Sequence, residues 1–156
     1  MGYRIQGLDP AFFDLLRHQS DHALAAMSAE RVIADEDFGY PCRVTLEDVR
    51  IGEPLILLSF EHQPAASPYR SRHAIFISEF AGKAAVIDNW LPLQLQKRLL
   101  SVRAFAANGK MLDADVVNGV EAEPLIDRLL AEPNTDYLHI HFAKRGCFAA
   151  RVDRLA

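Results

Sequence analysis

Near the C-terminus, Tyr137-Leu138-His139-Ile140-His141-Phe142 alternates apolar and polar residues without a break. A period of two belongs to a β-strand, because successive side chains leave a pleated backbone on opposite faces. Leu138, Ile140 and Phe142 therefore share one face, and Tyr137, His139 and His141 the other. After the loop Lys144-Arg145-Gly146, Phe148, Ala150 and Val152 alternate in the same way. The two segments predict a hairpin with Phe142 opposite Phe148, so that both apolar faces are buried together. That register sets His141 beside Ala149 and His139 beside Arg151, with Cys147 on the same polar face.

The rest of the chain fits an α+β domain, a mainly antiparallel sheet with a few covering helices. Tyr3 to Gly7 alternates as a short strand. Asp9-Pro10 reads as an N-cap followed by proline in a first helical turn, with Phe12, Phe13, Leu15 and Leu16 along one face. Ser20 caps a second short helix that turns Leu24 and Met27 inward, and Arg31 to Ala34 is a strand. Cys42–Leu46 and Pro54–Glu61 read as strands around a turn at Gly52; His73–Glu79 is another, with Ala85–Ile87 returning beside it. Asn108-Gly109 between two β-compatible runs, Leu100–Ala106 and Met111–Val117, marks a hairpin. Pro124–Ala131 places Leu125, Ile126, Leu129 and Leu130 on one helical face. Regular strand–helix–strand alternation is absent, which argues against a doubly wound fold.

At 156 residues the chain is expected to be a single domain with a sizeable core. A formal charge of −4 and scattered basic residues leave no electrostatic footprint for nucleic acid or a membrane surface. No apolar leader or spanning segment is visible, and two cysteines, Cys42 and Cys147, make no disulfide framework. A cytoplasmic location with reduced thiols is the expectation.

Three segments carry residues suited to chemistry. The first, Glu61 to His73, is a proline-stiffened polar loop between two apolar strands and holds His62, Tyr69, Arg70, Arg72 and His73. Arginine forks grip carboxylate or phosphate bidentately, and histidine exchanges protons near neutral pH. The sequence supports equally well a plain ion pair between Glu61 and Arg70 or Arg72. The second is the hairpin face with His139, His141, Cys147 and Arg151. Histidines two apart on a strand point the same way and can supply two metal ligands, while Cys147 could act as a nucleophile beside an imidazole. A metal site needs a third ligand, which the sequence does not identify. The third is Phe38 to Arg43, where Cys42 reads as a small core residue and Arg43 as the functional candidate. Trp90 reads as core, and His18 and His22 are separated by the cap at Ser20. Phosphate-binding glycine loops, nucleophile elbows and paired cysteine motifs are all missing.

Gly39-Tyr40-Pro41-Cys42-Arg43-Val44, then Glu61-His62-Gln63-Pro64 through Ser67-Pro68-Tyr69-Arg70 to His73-Ala74-Ile75-Phe76, then Gly146-Cys147-Phe148-Ala149-Ala150-Arg151-Val152 occur in this order. Together they resemble a bacterial family catalogued as domain of unknown function 1203. The resemblance implies a one-domain cytoplasmic protein and brings no activity. The family pattern places Asn after the second histidine of the late strand, where Phe142 stands here.

The expected function is a single pocket for a small anionic molecule. Arg43, Arg70 and Arg145 would anchor the anion, helped by Glu61, Tyr69 and Arg72 at the loop. His62, His73 or His141, with Cys147, would supply proton transfer or nucleophilic chemistry. The competing expectations are a non-catalytic interaction domain that meets its partner through Tyr69, Arg70 and Arg72, and a metal-binding protein using His139 and His141. Whether turnover occurs, and with what cofactor, the residues leave open.

Overall fold

A computed structural model describes residues 2–156 and contains two antiparallel sheets. The larger is built from β1 (Tyr3–Gln6), β5 (Val86–Asp88), β6 (Leu99–Phe105), β7 (Met111–Asn118), β8 (Tyr137–Phe142) and β9 (Phe148–Arg154), in the order β5-β1-β9-β8-β6-β7. The smaller joins β2 (Ala29–Ile33), β3 (Pro54–Gln63) and β4 (Ser71–Ser78) in sequence order. Three short helices accompany them: α1 (Asp21–Ala26), α2 (Leu93–Gln96) and α3 (Ala122–Ala131). The chain is α+β, as its periodicities predict.

Each sheet has its own apolar core. Leu100, Val102 and Ala104 of β6, Leu138 and Ile140 of β8 and Val152 of β9 meet Ile126, Leu129 and Leu130 of α3. Burying each of the large aliphatic side chains contributes about 1.5–3 kcal/mol. The second core gathers Leu55, Ile56, Ile75 and Ile77 of the smaller sheet with Phe13, Leu24 of α1, and Cys42 and Val44. Every residue of β8 is buried, including its histidines. Its polar face therefore cannot be a solvated surface, and it faces the smaller sheet.

Several local expectations need correction. Pro10–Phe13 is one 3-10 turn rather than a helix; Asp9 caps it by accepting from the Ala11 amide. Phe13 is buried, but Phe12 and Leu15 stand 66% and 81% exposed, so no continuous apolar face forms. Met27 ends α1 at its C-cap and is exposed. Cys42–Leu46 forms no strand: this segment makes single bridges, Pro41 with Asp48 and Cys42 with Phe76, and turns at Leu46, whose φ is +57°. β5 pairs with β1 instead of β4. Trp90 is 61% exposed, not core.

The most consequential correction concerns the C-terminal hairpin. His139 does pair with Arg151, and Ile140 with Ala150, but His141 then pairs with Phe148. Ala149 is the extra residue of a β-bulge, which reverses the facing of what precedes it on β9. Phe148 consequently joins the histidine face, and Cys147 comes opposite Phe142, whose amide donates to the Cys147 carbonyl. Alternation of sequence cannot reveal a bulge, because the pattern Phe-x-Ala-x-Val survives in the letters and not in the backbone.

Candidate functional site: a histidine cluster beside a cationic cavity

Two β-bulges build the histidine cluster. On β3 the register slips between Phe60, opposite His73, and Gln63, opposite Ser71, so Glu61 and His62 together face Arg72 alone. A bulge bends its strand and re-aims side chains. Here it leaves both His62 and Gln63 buried, and Gln63 Nε2 donates to the Tyr137 hydroxyl at 2.8 Å, tying β3 to β8. His62 reaches His73 of β4 at 2.7 Å, Nε2 to Nδ1, with the two rings nearly parallel and their centroids 4.9 Å apart. His62 also meets His139 and His141 edge-on, at centroid distances of 5.8 and 5.0 Å. Phe148, delivered by the bulge on β9, stacks on His62 at 5.1 Å.

Sequence segments that read as separate candidates thus converge. His62 and His73 from the loop strands, and His139 and His141 from the hairpin, form one four-histidine group between the sheets. His141 is fully buried, and its Nδ1 lies 2.8 Å from the Gly146 carbonyl. A carbonyl only accepts, so that nitrogen carries the proton and donates. Three ring nitrogens in the group are buried without a partner: His62 Nδ1, His139 Nδ1 and His141 Nε2. One nitrogen from each of these histidines lies within 4.8 Å of the others.

Burial keeps this cluster neutral. It pushes His62 down to about 4, His139 to about 3 and His141 to about 2, with neighbouring histidines and Arg103 adding to the effect. His73, nearer solvent, is also lowered by burial and by Arg103. Arg103 of β6 is thus a contributor that sequence reading missed; its Nε donates to Ser101 Oγ. Only its position opposite His139 in the β6–β8 pairing gives it away.

Beside the cluster opens a cavity of about 660 Å³, lined by His73, Arg43, Cys147, Phe142, Arg145, Lys144, Lys97, Arg98, Phe38 and Glu36 among others. Five of these side chains are cationic, and Glu36 is the only carboxylate in the lining. Arg98 is neutralised by a two-point contact with Asp48, at 2.6 and 3.0 Å, and holds the Phe38 carbonyl at the rim. Phe38 itself adopts φ +58°, and the Lys97 ammonium lies 3.2 Å from its ring centroid. Lys144 and Arg145 are exposed at the mouth.

Arg43 is 1% exposed, and each of its three guanidinium nitrogens donates to a protein acceptor. Nε donates to the Phe148 carbonyl at 2.8 Å, Nη1 to the Pro41 carbonyl at 2.6 Å and Nη2 to Cys147 Sγ at 3.0 Å. None of these acceptors is a carboxylate. Burial lowers the guanidinium to about 10, which leaves it charged at neutral pH. Phe142 lies under both Arg43 and Arg98, 4.9 and 5.1 Å from ring centroid to guanidinium carbon. The hydrogen-bonding neighbour of Cys147 is therefore a guanidinium; an imidazole was the expectation. Cys42, by contrast, is an apolar core thiol as read.

The loop's other candidates lie elsewhere. Arg70 pairs with Glu61 through two contacts of 3.1 and 3.2 Å, and Arg72 bonds to Ser59 of its own hairpin. Tyr69 is 40% exposed. None of the four lines the cavity. The loop is pinned instead to the β6–β7 turn: Ser67 Oγ donates to the Gly109 carbonyl, and a Cβ on Gly109 would stand 2.3 Å from that of Ala65. Gly109 also has φ +80°, so both the turn and the docking require it.

The model of one family, described as protein of unknown function (DUF1203), matches residues 39–154. No curated protein and no solved structure matches the chain. The matched span begins at the cavity rim and takes in the histidine cluster.

Proposed function

The chain belongs to the DUF1203 family, and from the geometry of this member we propose that it binds a small anionic molecule in the cavity beside the histidine cluster. The observation that carries this reading is the imbalance of the lining. An acidic chain gathers five cationic side chains around one carboxylate in a single concave site; of the five, Arg98 is paired with Asp48, and Arg43 is a buried guanidinium with no carboxylate among its partners. Low-dielectric walls strengthen the attraction of such a site for anions. A volume of about 660 Å³ falls in the range of pockets for metabolite-sized ligands.

The roles divide by mobility. Arg43 supplies a fixed field, since three protein acceptors hold its guanidinium in place. Lys144, Arg145 and Lys97 can move to contact the ligand, and Phe142 and Phe76 give it an apolar wall. His73 alone of the four histidines lines the cavity; with its Nδ1 accepting from His62 Nε2, its other ring nitrogen carries the proton and can donate to a bound anion. The anchoring role first read into Arg70 passes to Lys144, beside Arg145.

Calorimetric titration with inorganic phosphate and with citrate at low ionic strength tests the proposal. The wild type should bind at least one of them. The double variant Lys144→Ala/Arg145→Ala, altered only at exposed positions, should bind about tenfold more weakly with an unchanged melting temperature. Binding that survives this change undiminished, or no binding by the wild type at millimolar concentration, overturns it.

A further inference from the structure

We propose that His62, His139 and His141 form a binding site for a divalent transition-metal ion of the zinc class. Two independent observations support it. One ring nitrogen from each residue already lies within 4.8 Å of the others, against about 3.3 Å between donors on a tetrahedral ion with bonds of 2.0–2.1 Å. Each of the same three residues also carries a buried ring nitrogen with no hydrogen-bond partner. Unsatisfied buried polar atoms are costly, and an ion held by these three neighbouring rings would relieve that cost.

The surrounding hydrogen bonds prepare the lone pairs. The Gly146 carbonyl fixes the proton of His141 on Nδ1, which leaves Nε2 as a bare acceptor. When His62 Nε2 donates to His73 Nδ1, His62 Nδ1 likewise presents a lone pair. Metal-binding histidines ordinarily donate their second nitrogen to a carbonyl or another acceptor in this way, which orients the ring. His73 is a positioning residue in this account. Three imidazoles suit zinc, cobalt or nickel over calcium or magnesium, and they leave one tetrahedral position for water or a further donor. The site rests on the cluster and not on the cationic cavity, so it stands or falls separately from anion binding.

The test uses the full chain, stripped with chelator and titrated with Co²⁺ and then Zn²⁺. One Co²⁺ per chain should bind with the intense visible absorption of a tetrahedral site, and Zn²⁺ should displace it. His62→Gln, His139→Gln and His141→Gln should each weaken binding about 100-fold or more, and His73→Gln about tenfold. Because a buried variant can fail to fold, imidazole ¹⁵N spectra of the wild type during Zn²⁺ titration provide a second readout. The resonances of His62, His139 and His141 should shift together, and those of the exposed His18 and His22 should not. Stoichiometric binding with these shifts supports the site. Absence of binding at micromolar Zn²⁺, or shifts centred on His18 and His22, overturns it.

Discussion

The two faces of β8 are equally buried and differently satisfied. On one face, Leu138 and Ile140 lie against α3 and need nothing beyond close packing. On the other, His139 and His141 are as inaccessible as the leucine and isoleucine, yet each retains a ring nitrogen without a partner. A domain stabilised by only about 5–15 kcal/mol does not gain from unpaired buried imidazoles. The contrast separates a face that builds the fold from a face whose polar groups are held ready for something else.

The largest effect that sharpens the contrast comes from the packed face. Ile140→Ala should lose about 2–5 kcal/mol in urea unfolding, through lost burial and the cavity left behind. In the metal-free protein His139→Leu should change stability by no more than about 1 kcal/mol, and in the stabilising direction, since it removes an unpaired nitrogen. A loss of several kcal/mol from His139→Leu would show that the polar face is structural after all. Arg43→Met belongs between these, at about 2–3 kcal/mol, because it strands the carbonyls of Pro41 and Phe148 in the interior.

Acid should discriminate between the faces too. The folded histidines sit at about 4, 3 and 2, below the unfolded value near 6.5, so between these limits the unfolded chain binds more protons. Their contribution to stability is therefore present in full above pH 6.5. It is lost as pH falls, at up to about 1.4 kcal/mol per pH unit for each histidine. Unfolding free energies of the metal-free wild type at pH 7, 6 and 5 should show this decline, and His139→Leu should flatten it. The smallest effect belongs to the exposed pair: Glu61→Ala or Arg70→Ala should cost less than about 1 kcal/mol and leave anion binding unchanged.

How far the sequence was legible follows from the same physics. β8 is read to the residue, and the Asn108-Gly109 hairpin and α3 nearly so, because each has a strong local period or turn signal. A single pocket was the expectation, but the way His62 and His73 meet His139 and His141 was not legible. It depends on bulges at Glu61–His62 and at Ala149, and on the packing of one sheet against the other, neither of which leaves a mark in the residue pattern. The cationic cavity was half legible. Arg43 and Arg145 were singled out, whereas Lys97, Arg98 and Lys144 are among the scattered basic residues and acquire meaning from the loops that bring them together. Arg70 looked equivalent to Arg43 in sequence. Local pairing with Glu61 across the β3–β4 end takes it out of the site.

Mapping where an anion lands tests the central claim most directly. Backbone amide spectra of the full chain, recorded during a phosphate titration at low salt, should show perturbations centred on Lys97, Lys144, Arg145 and Cys147, saturating together. Shifts centred on Tyr69, Arg70 and Arg72 would contradict the account and return the site to the exposed loop, and spectra without saturable shifts would remove the anion site altogether.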